Sequence, residues 1–320
     1  MNTAPLVSVV IPTRDRNVEV RRAIASALRQ TLSDVEIIVV DDGSVDPTSE
    51  VVGSDVNDSR LTFHRNESAT GPSAARNTGT GLARGSFVAY LDSDDEWHPT
   101  KLERQVAALG RPGYDAGLSL CGYEVVSGEH RRARVPREID AGNTVELLDT
   151  RHEPIVTSLF VLPITVARAY AFDGDLTAYE DLDLAAQISA THDIVTTRSI
   201  LVRKHISAER QFSGPRIIDA RRAFLAKYAD VLRDHPAVLA RNEITIAAEL
   251  ARSGRTDEAR ALLAAIDSDG LSPWARFVRR VVPHTPTPLG TTLDALRLVE
   301  RFSSRGALWR VRTSRLRWQS

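Results

Sequence analysis

The chain has 320 residues, 42% hydrophobic and 26% charged, a balance that suits one or two globular domains with buried cores and excludes a disordered or fibrous protein. A formal net charge of −1 supplies no basic excess, so no nucleic-acid partner is expected. The single cysteine, Cys121, excludes an intrachain disulfide and a thiolate zinc site, and no run of about 18 apolar residues occurs; a cytoplasmic protein that does not span a membrane is expected.

Residues 6–11 are a continuous apolar run closed by Pro12 and predict a central parallel strand covered on both faces. Residues 16–30 carry Val20, Ile24, Ala27 and Leu28 at helical spacing. Residues 35–40 repeat the buried-strand pattern and end in Asp41-Asp42-Gly43-Ser44; Asp46 and Pro47 then predict the N-cap and first position of a short helix. A third strand is expected at 61–64, a helix at 73–83 stopped near Gly85, and a fourth strand at 86–91. This alternation implies an α/β fold with a mostly parallel sheet, in which ligands bind beyond the carboxyl ends of the strands.

Further on, a helix is expected at 180–188 and an apolar strand at 194–202. From about residue 215 the texture is helical, at 220–232, 236–253 and 256–266; the last two, joined by Ser253-Gly254-Arg255, resemble one helical-hairpin repeat. The expected division is a catalytic unit at 1–213, a helical accessory region at 214–282, and a linker with a basic tail at 283–320.

Asp92-Ser93-Asp94-Asp95, at the end of the fourth strand, is the most informative segment. Three carboxylates so close repel by about 3 kcal/mol per pair at ~5 Å and an effective dielectric near 20. A divalent cation offsets this, and Mg2+ is commonly held by one or two carboxylates plus substrate phosphates. Taken alone, the run reads as an acidic turn that caps the helix beginning near Pro99. An EF-hand loop does not fit the residues after Asp95, and an aspartyl-nucleophile phosphatase does not fit Glu96.

Together with 7–14, Val39-Val40-Asp41-Asp42-Gly43-Ser44 and Gly71-Pro72-Ser73-Ala74-Ala75-Arg76-Asn77-Thr78-Gly79, this segment closely resembles the motif series of family 2 inverting glycosyltransferases. The resemblance covers about residues 5–212. It implies the GT-A fold, a Rossmann-like nucleotide-diphospho-sugar transferase, followed here by a C-terminal α-helical region. It further implies that Pro12, Thr13 and Arg14 border the nucleotide, and that Asp42 or its neighbour Asp41 accepts hydrogen bonds from base and ribose. Arg76 and Asn77 would face the donor or its phosphates, and Asp92, with Ser93 beside it, would contact ribose and sugar. Asp94, with Asp92, would hold Mn2+ or Mg2+.

Tyr179-Glu180-Asp181, preceded by Phe172-Asp173-Gly174, is similar to the family's Glu-Asp element, which implies Asp181 as general base, with Glu180 next in line. Arg203-Lys204-His205 resembles an Arg-x-His element, implying His205 in the metal shell or on the diphosphate; a surface histidine after a strand explains it as well. Leu182 and Gln187 depart from the Trp and Arg of many members. The Gln-x-x-Arg-Trp element of processive synthases is absent, which favours transfer of one sugar.

The implied partners are a nucleotide-sugar donor, UDP-linked by default, and a glycan, lipid-linked or small-molecule acceptor. Two rivals stand beside this reading. A sugar-1-phosphate nucleotidyltransferase shares the layout, but needs a Gly-rich loop where Pro12-Thr13-Arg14-Asp15 stands. A degenerate binding module is opposed by the intact Asp92, Asp94 and Asp181. The Arg-rich tail with Trp309 and Trp318 fits peripheral contact with the inner membrane face and, equally, a solvated basic helix paired with the acidic unit.

Overall fold

The computed structural model describes residues 4–152, 154–206 and 215–266. The expected linker and tail lie outside the described residues, as does the end of the accessory region.

Strands β1 (Val7–Thr13) and β2 (Val35–Asp41) are buried throughout, as unbroken Val and Ile runs require of strands covered on both faces. β3 (Leu61–Arg65) flanks β2 and β4 (Phe87–Tyr90) flanks β1, all parallel. Helices α1 (Glu19–Leu28), α2 (Thr48–Val51) and α3 (Pro72–Leu82) connect them.

Two details differ from the sequence expectation. β1 runs on through Pro12, because past Val10 it pairs with β2 alone, where a residue lacking an N–H is tolerated. Asp46 does not cap α2; Pro47 takes the cap position, and the Thr48 amide donates to Asp41 Oδ2 at 2.9 Å. One glycine sets the helix layer. A Cβ on Gly79 would lie 2.3 Å from Val10 Cγ1, so glycine is what lets α3, the helix carrying Arg76, approach β1.

The chain continues through β5 (Glu96–Trp97), α4 (Lys101–Leu109), β6 (Ala116–Ser127), β7 (His130–Arg134), α5 (Val145–Leu148), β8 (Val161–Pro163), α6 (Ile164–Ala169), α7 (Glu180–Ser189) and β9 (Asp193–His205). The sheet order is β3-β2-β1-β4-β8-β6-β9-β5, with β7 paired to β6. β8 is antiparallel to β4 and β6, and β9 is parallel to β6. β9 does not stop at Val202 but keeps pairing with β6 as far as His205, which carries Lys204 to the mouth of the sheet. This is the mixed sheet, flanked by helices, of the GT-A fold.

The accessory helices are α8 (Pro215–Lys227), α9 (Ala229–Arg233), α10 (Pro236–Arg252) and α11 (Thr256–Ala265). The single helix expected at 220–232 is two, broken at Tyr228. α10 and α11 form the expected hairpin, turned by Gly254 at φ +84°. Ile218, Phe224, Ile244, Leu250 and Leu263 form a second apolar core that also takes in Leu148 and Leu176. A buried ion pair, Arg241 to Asp149 at 2.8 Å, fastens α10 to the segment after α5. No helix among the described residues is long and apolar enough to cross a membrane.

Candidate active site

Because β1, β2 and β4 are parallel, their carboxyl ends open on one edge of the sheet. Asp41 and Asp42 follow each other there, yet the backbone turns them to different tasks. Asp41 is buried; its oxygens accept from Ser44 N (2.8 Å), Thr48 N (2.9 Å) and Arg65 Nη1 (2.8 Å), so it closes the turn and caps α2. Asp42 faces the cleft and accepts from Asn66 Nδ2 (2.9 Å), Thr70 Oγ1 (2.8 Å) and Gly71 N (2.8 Å). Burial works to raise the pKa of both acids, and these donors outweigh it, leaving both below the ordinary carboxylate value.

After β4 the chain makes a tight turn, with Asp95 N donating to Asp92 O at 3.0 Å. One oxygen from each of Asp92, Asp94 and Asp95 fits within a 4.8 Å span. Three side-chain cations answer them. Arg16 Nη1 lies 2.9 Å from Asp94, Arg76 Nη2 lies 2.7 Å from Asp92, and Lys204 Nζ lies 3.8 Å from Asp92 and 3.6 Å from Asp95. Burial would raise Asp92, but Arg76 and Lys204 more than offset it and its pKa falls below the ordinary value. At Asp95, wholly buried, burial prevails over Lys204 and pushes the carboxyl up to about 7, with Asp92 and Asp94 adding to the rise. Lys204 is held above its ordinary value: burial opposes this, and Asp95 and Asp92 override it.

This donor set suits a hard divalent cation: oxygen ligands only, close-set, with Asp92 and Asp94 open to the cleft. Asp94 with Asp92 would hold the ion, and the buried Asp95 would support the turn, accepting from Ser158 Oγ at 2.6 Å. His205 stands apart. Its Nε2 is a buried atom without a hydrogen-bond partner, 3.8 Å from Glu96, and its imidazole is off the cleft wall, so Asp95 is the third member of the acidic group. The strand alternation that sends Lys204 into the cleft sends its neighbour the other way.

The second carboxylate pair comes from α7. Glu180 and Asp181 occupy its first turn, where the helix dipole favours negative charge. Arg76, buried in α3, reaches across to them: its Nη1 lies 3.3 Å from Glu180 Oε1 while Nη2 holds Asp92. Burial would lower the Arg76 pKa, but Asp92 and Glu180 raise it above the ordinary value. Asp181 Oδ1 accepts from Leu182 N at 2.7 Å, yet burial first and the Glu180 charge second push its carboxyl up to about 7.

Asn77, the neighbour of Arg76, does not reach the cleft. Its side chain clasps the Phe172 backbone, donating to the carbonyl at 2.9 Å and accepting from the amide at 3.0 Å, and so fixes the loop that leads to α7.

A cleft of about 1070 Å³ joins these parts. Pro12, Thr13 and Arg14 line it from the end of β1, followed by Asp42, Arg76, Asp92, Ser93, Asp94, Glu180 and Asp181. Asp41, Asn77 and His205 are absent from its wall. A cleft beyond the carboxyl ends of the strands is where ligands bind in an open α/β sheet, and residues 8–157, just under half of the chain, match Glycosyl transferase family 2. That match covers 150 of the 320 residues of the chain.

Similar proteins include an uncharacterized glycosyltransferase of Rickettsia prowazekii, 29% identical over 211 residues, which are 64% of this chain and 65% of the relative. A UDP-Glc:alpha-D-GlcNAc-diphosphoundecaprenol beta-1,3-glucosyltransferase of Escherichia coli is 40% identical over 104 residues, 32% of this chain and 41% of the relative. The chain thus matches less than two thirds of the length of these curated relatives. Among solved structures, S. aureus TarS in complex with UDP-GlcNAc superposes with a TM-score of 0.62 at 18% identity, covering 94% of this chain and 92% of that one. A mannosyltransferase from Pyrobaculum calidifontis in complex with GDP-Man and Mn2+ gives 0.56 at 18% identity, covering 95% and 89%. At such identity the likeness is one of fold.

Three members of this site were given no role from sequence: Arg16, Asp95 and Lys204. Arg16 follows Arg14-Asp15 and Lys204 sits inside the Arg203-Lys204-His205 run, and only the folding of both segments beside the β4 turn shows which acids they meet. Asp95 was visible in the acidic run, but its depth was not.

Proposed function

We propose that this protein transfers one sugar from a nucleotide-diphosphate sugar to an acceptor hydroxyl, with inversion at the anomeric carbon and with help from a divalent cation. The observation that carries the reading is Arg76, whose guanidinium joins the acidic turn after β4 to the acids of α7, so that cation-binding and proton-accepting groups share one cleft. Similar proteins support it: a UDP-Glc-dependent glucosyltransferase, and proteins of like fold in complex with UDP-GlcNAc or with GDP-Man and Mn2+. UDP is the first donor nucleotide to test. Residues 1–213 are taken as the catalytic unit and 214–282 as its accessory, and the buried Cys121 accords with a reducing cytoplasm.

In this mechanism Asp181 removes the acceptor proton. The acceptor oxygen bonds to the anomeric carbon as that carbon's bond to the diphosphate oxygen breaks, and the electron pair leaves with the nucleoside diphosphate. A carboxylate titrating near 7 is matched to such a proton transfer at neutral pH. Arg76 fixes Glu180 beside it and holds Asp92 toward the donor. Lys204 and Arg16, both on the cleft wall, add positive charge where the diphosphate departs. A bound Mn2+ or Mg2+, on Asp94 with Asp92, supplies Lewis acidity to that leaving group.

A thermal-shift panel of UDP, GDP and other nucleoside diphosphates, with Mn2+, Mg2+ or chelator, tests the donor half, since a ligand that binds only the native state raises its melting temperature. The expected result is a metal-dependent rise with one nucleotide. No response from any nucleotide under any metal would overturn the reading.

A further inference from the structure

We propose that α8, with Tyr228 just after it, is a positioning element of the active site that holds the Glu180-Asp181 pair from both sides. The inference rests on the transferase reading above and concerns how its base is kept in place.

On the amino-terminal side, Tyr179 adopts a left-handed backbone, φ +70°, directly before Glu180. A non-glycine residue keeps that conformation only where its surroundings impose it. Here α8 does so: the Phe224 ring stacks on Tyr179 at 5.7 Å and 28°, and Arg221 Nε donates to the Tyr179 hydroxyl at 3.0 Å.

On the carboxyl-terminal side, Asp183 is wholly buried. Its carboxylate accepts from Lys227 Nζ at 2.9 Å, Tyr228 OH at 2.8 Å and Gln187 Nε2 at 2.7 Å. Lys227 also holds Asp173 at 2.8 Å, in the loop that approaches α7. Glu180 and Asp181 therefore sit between two anchors, both fastened to α8 and Tyr228. Gln187, one of the departures from the family pattern, is a ligand of the second anchor. Neither Lys227 nor Tyr228 lines the cleft, so their effect on turnover runs through α7.

The test uses the whole chain in three variants: Lys227→Met combined with Tyr228→Phe, Tyr228→Phe alone, and Lys227→Arg. Three readouts apply: binding of UDP with Mn2+, UDP release from UDP-glucose with kcat and KM separated, and hydrogen exchange of the amides at 180–184. In the double variant these amides should exchange roughly tenfold faster or more while β1 and β2 are unchanged, and kcat should fall roughly tenfold or more with donor KM within about twofold. Tyr228→Phe should move the same way by a smaller factor, and Lys227→Arg should recover most of the rate. Exchange and kcat like those of the unaltered chain in both Tyr228→Phe and the double variant, or KM and UDP binding weakening in step with kcat, would overturn the proposal. Faster exchange at 180–184 in a protein with no UDP-sugar turnover even when unaltered would leave the grip standing and remove the transferase reading instead.

Discussion

Arg76 and Glu180 are 104 residues apart in sequence, and their side chains meet at 3.3 Å through a guanidinium that holds Asp92 at 2.7 Å on its other nitrogen. Removing one partner of a buried ionic network costs about 3 kcal/mol, because the acids left behind stay desolvated. Arg76→Met is therefore expected to lower the melting temperature by several degrees and sugar transfer by 100-fold or more. Melting curves beside turnover of UDP-glucose check both, and a variant that melts lower with an unchanged kcat would reduce Arg76 to a structural residue.

Asp181 must lose its proton before it can accept another. With its carboxyl pushed up to about 7, the protonated, inactive form prevails at pH 6, so kcat should rise as pH passes through about 7 and level off above it. Asp181→Asn should flatten that limb and cost roughly 10²–10⁴-fold in rate, with UDP and Mn2+ binding intact. A pH profile of both proteins decides it.

Asp94→Asn should abolish the Mn2+-dependent part of UDP binding and leave the fold unchanged, because the Asp94 side chain lines the cleft, paired to Arg16 at 2.9 Å. Calorimetric titration of UDP with and without Mn2+ measures this. Equal metal dependence in variant and unaltered protein would move the ion elsewhere.

Away from the site, Lys101 is wholly buried, its Nζ 4.0 Å from the Trp97 ring centroid and without a hydrogen-bond partner. Burial pushes it down to about 8. An ammonium whose folded pKa is depressed costs stability as pH falls from the unfolded value near 10.5, and the full cost, about 3 kcal/mol, is reached below about 8. Lys101→Met should raise the melting temperature at pH 7 by several degrees, with the gain shrinking toward pH 10. Melting curves across that range provide the check.

The strands and helices from β1 to β4 were legible because each buried strand is an unbroken apolar run and each helix repeats at its own period. Of the later sheet only β9 was, since β6 mixes Gly117, Ser119 and Gly122 with apolar residues and β8 has three residues in all. At the site, residues at strand ends could be found from position alone. The split between Asp41 and Asp42 could not, because it depends on which way one turn faces, and Lys204 could not, because its partners lie 109 and 112 positions away on another strand's end.

Each acid of the β4 turn has a side-chain cation within reach. Those cations offset the mutual repulsion of the carboxylates, so the turn keeps its shape with groups the chain itself supplies. Under the proposed mechanism, a cation held at Asp94 would compete with Arg16 for that carboxylate.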